Sequence, residues 1–524
     1  MTAVRAVTDS TALTQVSAEA ATGALDLPAP AKRAAAHTPV LNPGVATPAA
    51  RAFALPNATA ATQLCAAADA VASAQACTAY AADGGRAAQA SATVHAGGAR
   101  PPVKFPKGFL FGVSTSGFQS EGSFPDSNWT RYVDRKAYGI KDRYVKAVDF
   151  RHRYAEDIER ARRLGVKVFR TSVEWSRVEP RRGVRDAREL AYYDDLIRRI
   201  RAAGMRPMIT LDHWVYPGWV ADQGAWDNPR TSDDWLRNAA FIVNRYRGMG
   251  IIWITFNEAS QYLYHEFLAR PMNLVQLSTM RDALTKTHRR AYDMIHKVDR
   301  GALVSTNVAY GTVFNALFDA AVFNQVTDKL DFIGIDYYYG ANVQNTTAVH
   351  ALTGEFWRID PEPEGLYYVL KNYQRRLPKL PVYIVENGMP TDNGRPRADG
   401  YTRADHLRDH LYWVQRALAD GVKVMGYNYW SLTDNYEWGS YRPRFGLYTV
   451  DALTDPALTR RPTDAVPAYR AIIANLGVPS GYVPKRRPGW CSIEDPIATC
   501  FGKVPTPPAP YQLSGGISHL PTLE

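Results

Sequence analysis

Long apolar runs are missing from this chain of 524 residues. No stretch of 18 consecutive apolar residues occurs, which excludes a helix able to span a membrane. The opening MTAVRAVTDSTALTQ also lacks the apolar core of a secretory signal. Cysteine is scarce, and all four cysteines lie towards the ends of the chain. Cys65 and Cys77 form one local pair and Cys491 and Cys500 another, with none between. Two short disulfide loops flanking a cysteine-free domain are therefore expected, and with them an exported or cell-envelope protein. The alternative is four reduced thiols in a cytoplasmic one. Large apolar side chains are nearly absent from the first hundred residues, where Ala, Thr, Ser, Pro and Gly dominate. Such a composition cannot offset chain entropy by burial, so residues 1–104 are expected to be mostly disordered, with a short helix near 58–74. No Gly-rich phosphate loop follows the first strand candidate, and no His pair with metal-ligand spacing accompanies the strand-end carboxylates Glu258 and Glu386. Neither a cofactor nor a metal is expected.

The net charge is +11, yet no Lys/Arg tract carries the interleaved aromatics of a nucleic-acid module, so a solvated basic surface is expected and no nucleic-acid partner. Oligomeric state is not legible in the chain. From Phe105 onward aromatic residues become dense. Short apolar runs then alternate with amphipathic stretches as far as residue 477, with residues 478–524 as a tail. The strand candidates are residues 109–116, 166–175, 205–214, 251–258, 302–310, 330–338, 381–388 and 424–432. Helical patterns such as YAEDIERARRLG and DDWLRNAAFIVNRYRGMG separate them; the second is expected to start after Thr231-Ser232 and to close on Gly. Near-continuous apolar strands alternating with helices indicate a parallel sheet covered by helices on its outside. Eight such units predict an α/β protein of the (β/α)8 TIM-barrel type rather than an open doubly wound sheet.

Chemistry in such barrels sits at the C-terminal strand ends. Those ends carry Gln119, Arg170 and Glu174, His213-Trp214, Asn257-Glu258, Asn307, Asp336-Tyr337-Tyr338, Glu386-Asn387 and Trp430. Polar and aromatic residues recur at one edge in strand after strand, which a barrel built for packing alone does not need. Glu258 and Glu386 end the fourth and seventh strands, each beside an Asn, and are expected to face each other across the mouth. Two facing carboxylates in a sugar-sized cleft suit glycoside cleavage: one gives a proton to the leaving oxygen, the other attacks the anomeric carbon or activates water. Their surroundings must split their proton affinities to assign those roles.

FPKGFLFGVSTSGFQSEG, TFNEAS, YIVENG and GYNYWSLTDNYEWGSYRPRFGLYTVD, in that order, resemble glycoside hydrolase family 1, the retaining β-glucosidase and β-galactosidase group. The resemblance implies a retaining β-glycosidase acting by double displacement on a small β-glycoside, a β-glucoside first of all. Glu258 would be its general acid/base and Glu386 its nucleophile. It further implies that Gln119, His213, Trp214, Asn257, Trp430, Glu437 and Trp438 line the sugar subsite, and that Arg170, Tyr338 and Asp336 support the nucleophile. Elementary chemistry agrees: equatorial hydroxyls need acceptors and amides at the rim, and an apolar ring face needs an aromatic floor.

Three departures stand out. Ala259 replaces the usual Pro after the acid/base, VYPGW follows His213-Trp214 where the family has an acidic residue and Leu, and Asp336 stands where it usually has Asn. The interval between the two glutamates is also short for the family, so loops shaping the outer subsites are trimmed. A transglycosylase would use the same residues, and a non-catalytic sugar-binding relative would be expected to lose one glutamate. A phosphosugar hydrolase fits poorly, since Glu437-Trp438 would repel a phosphate.

Overall fold

A computed structural model describes residues 103–311, 315–340 and 345–486. The expected helix near 58–74, the four cysteines with their pairing, and the export inferred from them lie outside these residues.

Nine strands form one sheet: β1 (Leu110–Ser114), β2 (Val168–Ser172), β3 (Arg206–Asp212), β4 (Ile252–Phe256), β5 (Leu303–Ser305), β6 (Asn307–Ala309), β7 (Ile333–Asp336), β8 (Val382–Glu386) and, after the short β9 (Thr391–Asp392) of a separate ribbon, β10 (Val424–Trp430). Every pairing within the sheet is parallel, in the order β5-β4-β3-β2-β1-β10-β8-β7-β6. The two edge strands are halves of one stretch, the single strand expected over 302–310. β5 pairs with β4 and β6 with β7, and only Thr306 separates them. The ring therefore closes through Thr306, whose hydroxyl donates to Phe256 O at 2.7 Å. Counted as staves, the strands make the eight-fold TIM barrel.

Strand alternation explains the two cores. Ile252 and Ile254 point inward and pack with Leu110, Val168, Met208, Phe332, Tyr383, Val385 and Met425 inside the barrel. Trp253 points outward into the layer under the helices, and Phe256, where the alternation breaks at the strand end, joins the same layer. Both faces of β4 are thus dry, which is why it reads as a continuous apolar run rather than an alternating one. Each such side chain contributes about 1.5–3 kcal/mol by leaving water.

The helix expected after Thr231-Ser232 in fact spans Pro229–Arg245. Asn228 is its cap, accepting from Arg230 N, and Pro229 fills the first turn; proline's fixed φ and missing N–H suit that position. Helix Ala465–Asn475 closes the barrel, and Phe105 N donates to Leu476 O at 2.8 Å. The start of the tail packs on helix Arg403–Ala419: Tyr482 donates to Asp409 at 2.6 Å and Lys485 pairs with Asp405 at 2.7 Å. Among the described residues no helix is long and apolar enough to cross a membrane.

Candidate active site

Most expected site residues lie at or just beyond the C-terminal end of a stave; Arg170 is the middle residue of β2, and Glu437 and Trp438 lie on the loop that follows β10. Glu386 is the last residue of β8 and is buried. Arg170, wholly buried on β2, binds its Oε1 through Nη1, while Tyr338 donates to its Oε2 at 2.5 Å. The same guanidinium reaches Asn257 Oδ1 at 2.6 Å and Thr210 Oγ1 at 3.1 Å. Its planar fork is thereby fixed in orientation by neutral partners and spends its charge on Glu386. Tyr337, the neighbour in the run of tyrosines, points elsewhere and donates to Glu362 O at 2.6 Å.

Glu258 caps helix Ala259–Ala269 with left-handed backbone, φ +39 and ψ 58. Trp214 (φ +69) and Trp438 (φ +42) share that conformation. Non-glycine residues seldom adopt it, and a cluster of them at one mouth marks a functional site. Burial, then the charge of Glu386, push the Glu258 carboxyl well above the usual range, against the pull of Arg170. Glu258 is thus disposed to hold a proton beside a carboxylate paired with Arg170.

The two glutamates are three staves apart, not diametrically opposed as their strand numbers suggested; in an eight-stave ring the opposite of the fourth is the eighth. Asp336, at the end of β7, stands between them. One carboxylate oxygen from each of Glu258, Asp336 and Glu386 falls within 4.8 Å of the others. Such a triangle could hold a cation, but the positive charge that the structure places against it is Arg170.

Around this cluster Gln119 is fully buried on the short helix Gly117–Glu121 and joins Asn435 at 3.4 Å. Burial and the charge of Glu386 push Glu437 up to about 8, opposed by polar contacts with Trp430, Gln119 and Asn435. Glu437 Oε2 and His213 Nδ1 are buried with no partner in the protein. Burial, with the Arg170 charge, holds His213 well below the usual imidazole range and so neutral. Buried polar atoms left unmatched by protein suit a ligand rich in hydroxyls. Trp430 ends β10, and its peptide bond to Ser431 is cis. Gly388 lets β8 end against it: a Cβ there would lie 1.9 Å from Trp430 O.

Trp214 and Trp438 stack at 4.5 Å between ring centroids, with Trp129 at 4.4 Å from Trp438 and His265 at 4.7 Å from Trp214. Trp214 is pinned by an indole bond to Asn257 O at 2.8 Å. Behind it, Tyr216 of the divergent VYPGW segment donates to Glu266 at 3.0 Å, which also accepts from Tyr132 at 2.7 Å. Trp129 and His265 had no site expectation, since nothing in their local sequence ties them to the mouth. Asn307 was visible as a strand end but had no role; its amide bridges Asn257 Oδ1 at 2.7 Å and Asp336.

A parallel barrel that gathers carboxylates, an arginine, amides and tryptophans at one mouth defines a glycosidase. The sequence profile of glycosyl hydrolase family 1 matches residues 102–316 and 312–478, and the chain belongs to that family. A chloroplastic galactolipid galactosyltransferase of Arabidopsis thaliana is 30% identical over 347 residues, covering 58% of this chain; the chain spans only 55% of that protein. A β-galactosidase of Sulfolobus acidocaldarius is 28% identical over 484 residues, covering 72% of this chain and 96% of that protein. β-Glucosidase A of Thermotoga maritima is 27% identical over 444 residues, covering 72% and 99%. The solved β-glucosidase of Thermotoga maritima in complex with noeuromycin superposes with a TM-score of 0.61 at 24% identity over 72% of this chain and 100% of that one, a likeness of fold.

Proposed function

We propose that the protein is a retaining β-glycosidase in which Glu386 attacks the anomeric carbon and Glu258 serves as general acid and then general base. One observation carries this reading: carboxylate oxygens of Glu258 and Glu386 lie within 4.8 Å. Inverting sites need roughly 6.5–9.5 Å between carboxyls to admit a water, whereas retaining sites use about 5–5.5 Å. The reaction then runs in two displacements. Glu386 forms a bond to the anomeric carbon as the glycosidic bond breaks, and the proton of Glu258 passes to the departing oxygen. Water, giving its proton to Glu258, next attacks the anomeric carbon and frees Glu386. Arg170 and Tyr338 position the nucleophile; Gln119, Glu437, His213 and Asn257 meet the sugar hydroxyls, and Trp430 its ring face. A terminal β-glucoside fits this lining, and relatives named β-glucosidase and β-galactosidase support that substrate class. A 2-fluoro-β-glucoside inactivator followed by peptide mapping tests the assignment: the label belongs on Glu386, and a label elsewhere defeats it.

A second reading has its own support. The 30% identical relative is named a galactosyltransferase, and the aromatic wall of Trp214, Trp438, Trp129 and His265 could favour an organic acceptor over water. Product analysis in the presence of an alcohol acceptor separates hydrolysis from transfer.

A further inference from the structure

The double displacement described above employs two carboxyl groups, but the site buries three. Asp336 is 1% exposed. Asn307, an uncharged amide, donates to its Oδ2. All the side-chain hydrogen bonds of Arg170 go to Glu386, Asn257 and Thr210, and none to Asp336. One carboxylate oxygen of Asp336 lies within 4.8 Å of one of Glu258, and Asp336 Oδ1 is buried with no other partner in the protein. Two carboxyl groups can share a hydrogen bond only if one of them carries a proton. Were Glu258, Asp336 and Glu386 all ionised, one guanidinium would face three negative charges in a buried site, which like-charge repulsion and desolvation forbid.

We propose that Asp336 works as a neutral carboxylic acid, a positioning residue that hydrogen-bonds Glu258 and must keep its proton for the enzyme to turn over. The proposal rests on the acid/base assignment of Glu258. The groups facing Asp336 are Glu258 from the end of β4, Glu386 from β8, Arg170 from β2, Asn307 from β6 and Tyr338 just beyond β7; Glu437 bears on Glu258. Burial, then the charges of Glu386 and Glu258, push Asp336 well above the usual carboxylate range, and Arg170 only partly opposes them. In the first displacement Glu258 gives its proton to the leaving oxygen and becomes a carboxylate. The Asp336 O–H then donates to that new charge, stabilising it where it develops. In the second displacement Glu258 takes a proton from the attacking water, and the bond is restored with Asp336 as its acceptor or donor. The proton of Asp336 is neither consumed nor released. If Asp336 ionises at high pH, its charge opposes proton release from Glu258 instead of favouring it. Activity therefore requires both protons of a coupled pair, which leave in two macroscopic steps, so the alkaline loss begins as a one-proton event and steepens to two.

An amide at this position donates as the acid does but cannot titrate. The test is the pH dependence of kcat/KM on an aryl β-glucoside for wild type and Asp336→Asn. Log kcat/KM is expected to fall on the alkaline side with slope one in both proteins at first, steepening to two in wild type alone once the second proton of the pair is lost. Superimposable limbs overturn the proposal. Infrared spectroscopy of the resting protein near about pH 7 gives a readout independent of turnover: Asp336→Asn should remove one protonated-carboxyl band and Glu258→Gln a different one. Retention of all such bands in Asp336→Asn overturns the proposal. If wild type proves inactive on every β-glycoside, the functional reading fails while the band count still decides the state of Asp336. Asp336→Ser, equally unable to titrate, replaces the Asn variant in both measurements if that variant does not fold.

Discussion

Tyr338 donates its hydroxyl to Glu386 Oε2 at 2.5 Å while Arg170 holds the opposite oxygen. Each carboxylate oxygen thus has one donor, and the group cannot rotate without breaking a bond to one of them. Tyr338→Phe frees one oxygen and leaves the other clamped. Hydrogen bonds to charged groups contribute about 1.5–3 kcal/mol, so kcat/KM on an aryl β-glucoside should drop roughly 10- to 100-fold while the fold stays intact. Unchanged kinetics would show that Arg170 alone positions the nucleophile.

Glu258→Gln keeps shape and removes the transferable proton. General acid catalysis contributes about 10²–10⁴-fold, and only substrates with basic leaving groups need it. Turnover of an alkyl β-glucoside should therefore fall far more than the first displacement on a dinitrophenyl β-glucoside, read as the burst of released phenol. Equal losses on both would remove Glu258 from the acid role.

Much of this site was legible before any coordinates, and the reasons are physical. A strand dry on both faces reads as an apolar run, so the abrupt change to polar residues at Asn257 or Glu386 marks where the chain leaves the barrel. Pattern along the chain reports height in the barrel well and angle around it poorly. That is why Glu258 and Glu386 were expected to be opposed, whereas a ring of eight staves sets them three apart with Asp336 between. Thr306 splits one expected strand because its two halves pair with different neighbours, a consequence of ring closure that no local propensity encodes. The roles of Asn307, Trp129 and His265 depend on what lies across the mouth, and nothing in their own segments reveals that.

Away from the mouth, Arg460 and Asp157 make a buried pair: Nη2 to Oδ2 at 3.0 Å and Nε to Oδ1 at 3.2 Å, with Nη2 also reaching Val148 O at 2.6 Å. They join the segment before the last helix to helix Phe150–Leu164. Removing one partner of a buried pair costs about 3–5 kcal/mol when the other charge is stranded; here the cost is less, because Arg160 Nη1 also reaches Asp157 Oδ1 at 3.2 Å. Arg460→Met should lower the thermal midpoint by several degrees and leave KM for an aryl β-glucoside unchanged below the transition. Wild-type stability in this variant would mean that Arg160, which already bonds Asp157 Oδ1, compensates that carboxylate alone.

Glu437 illustrates what such a site costs the fold. Its carboxyl is pushed from an ordinary 4.5 to about 8 by burial and by Glu386. Below about pH 4.5 both folded and unfolded chains hold the proton, and the group contributes nothing. Between about pH 4.5 and 8 the unfolded chain ionises while the folded one does not, so the group destabilises the fold increasingly as pH rises; above about pH 8 the penalty is constant. Glu437→Gln, which cannot ionise in either state, escapes this. Its unfolding free energy relative to wild type should therefore rise steadily from about pH 5 to about pH 8, measured by denaturant titration at each pH. Activity should move the other way above about pH 8, where the ionised Glu437 offers two acceptor oxygens to sugar hydroxyls and glutamine only one. A stability difference that stays flat across this range would show that Glu437 is ionised in the folded protein, and that the polar contacts from Trp430, Gln119 and Asn435 outweigh its burial.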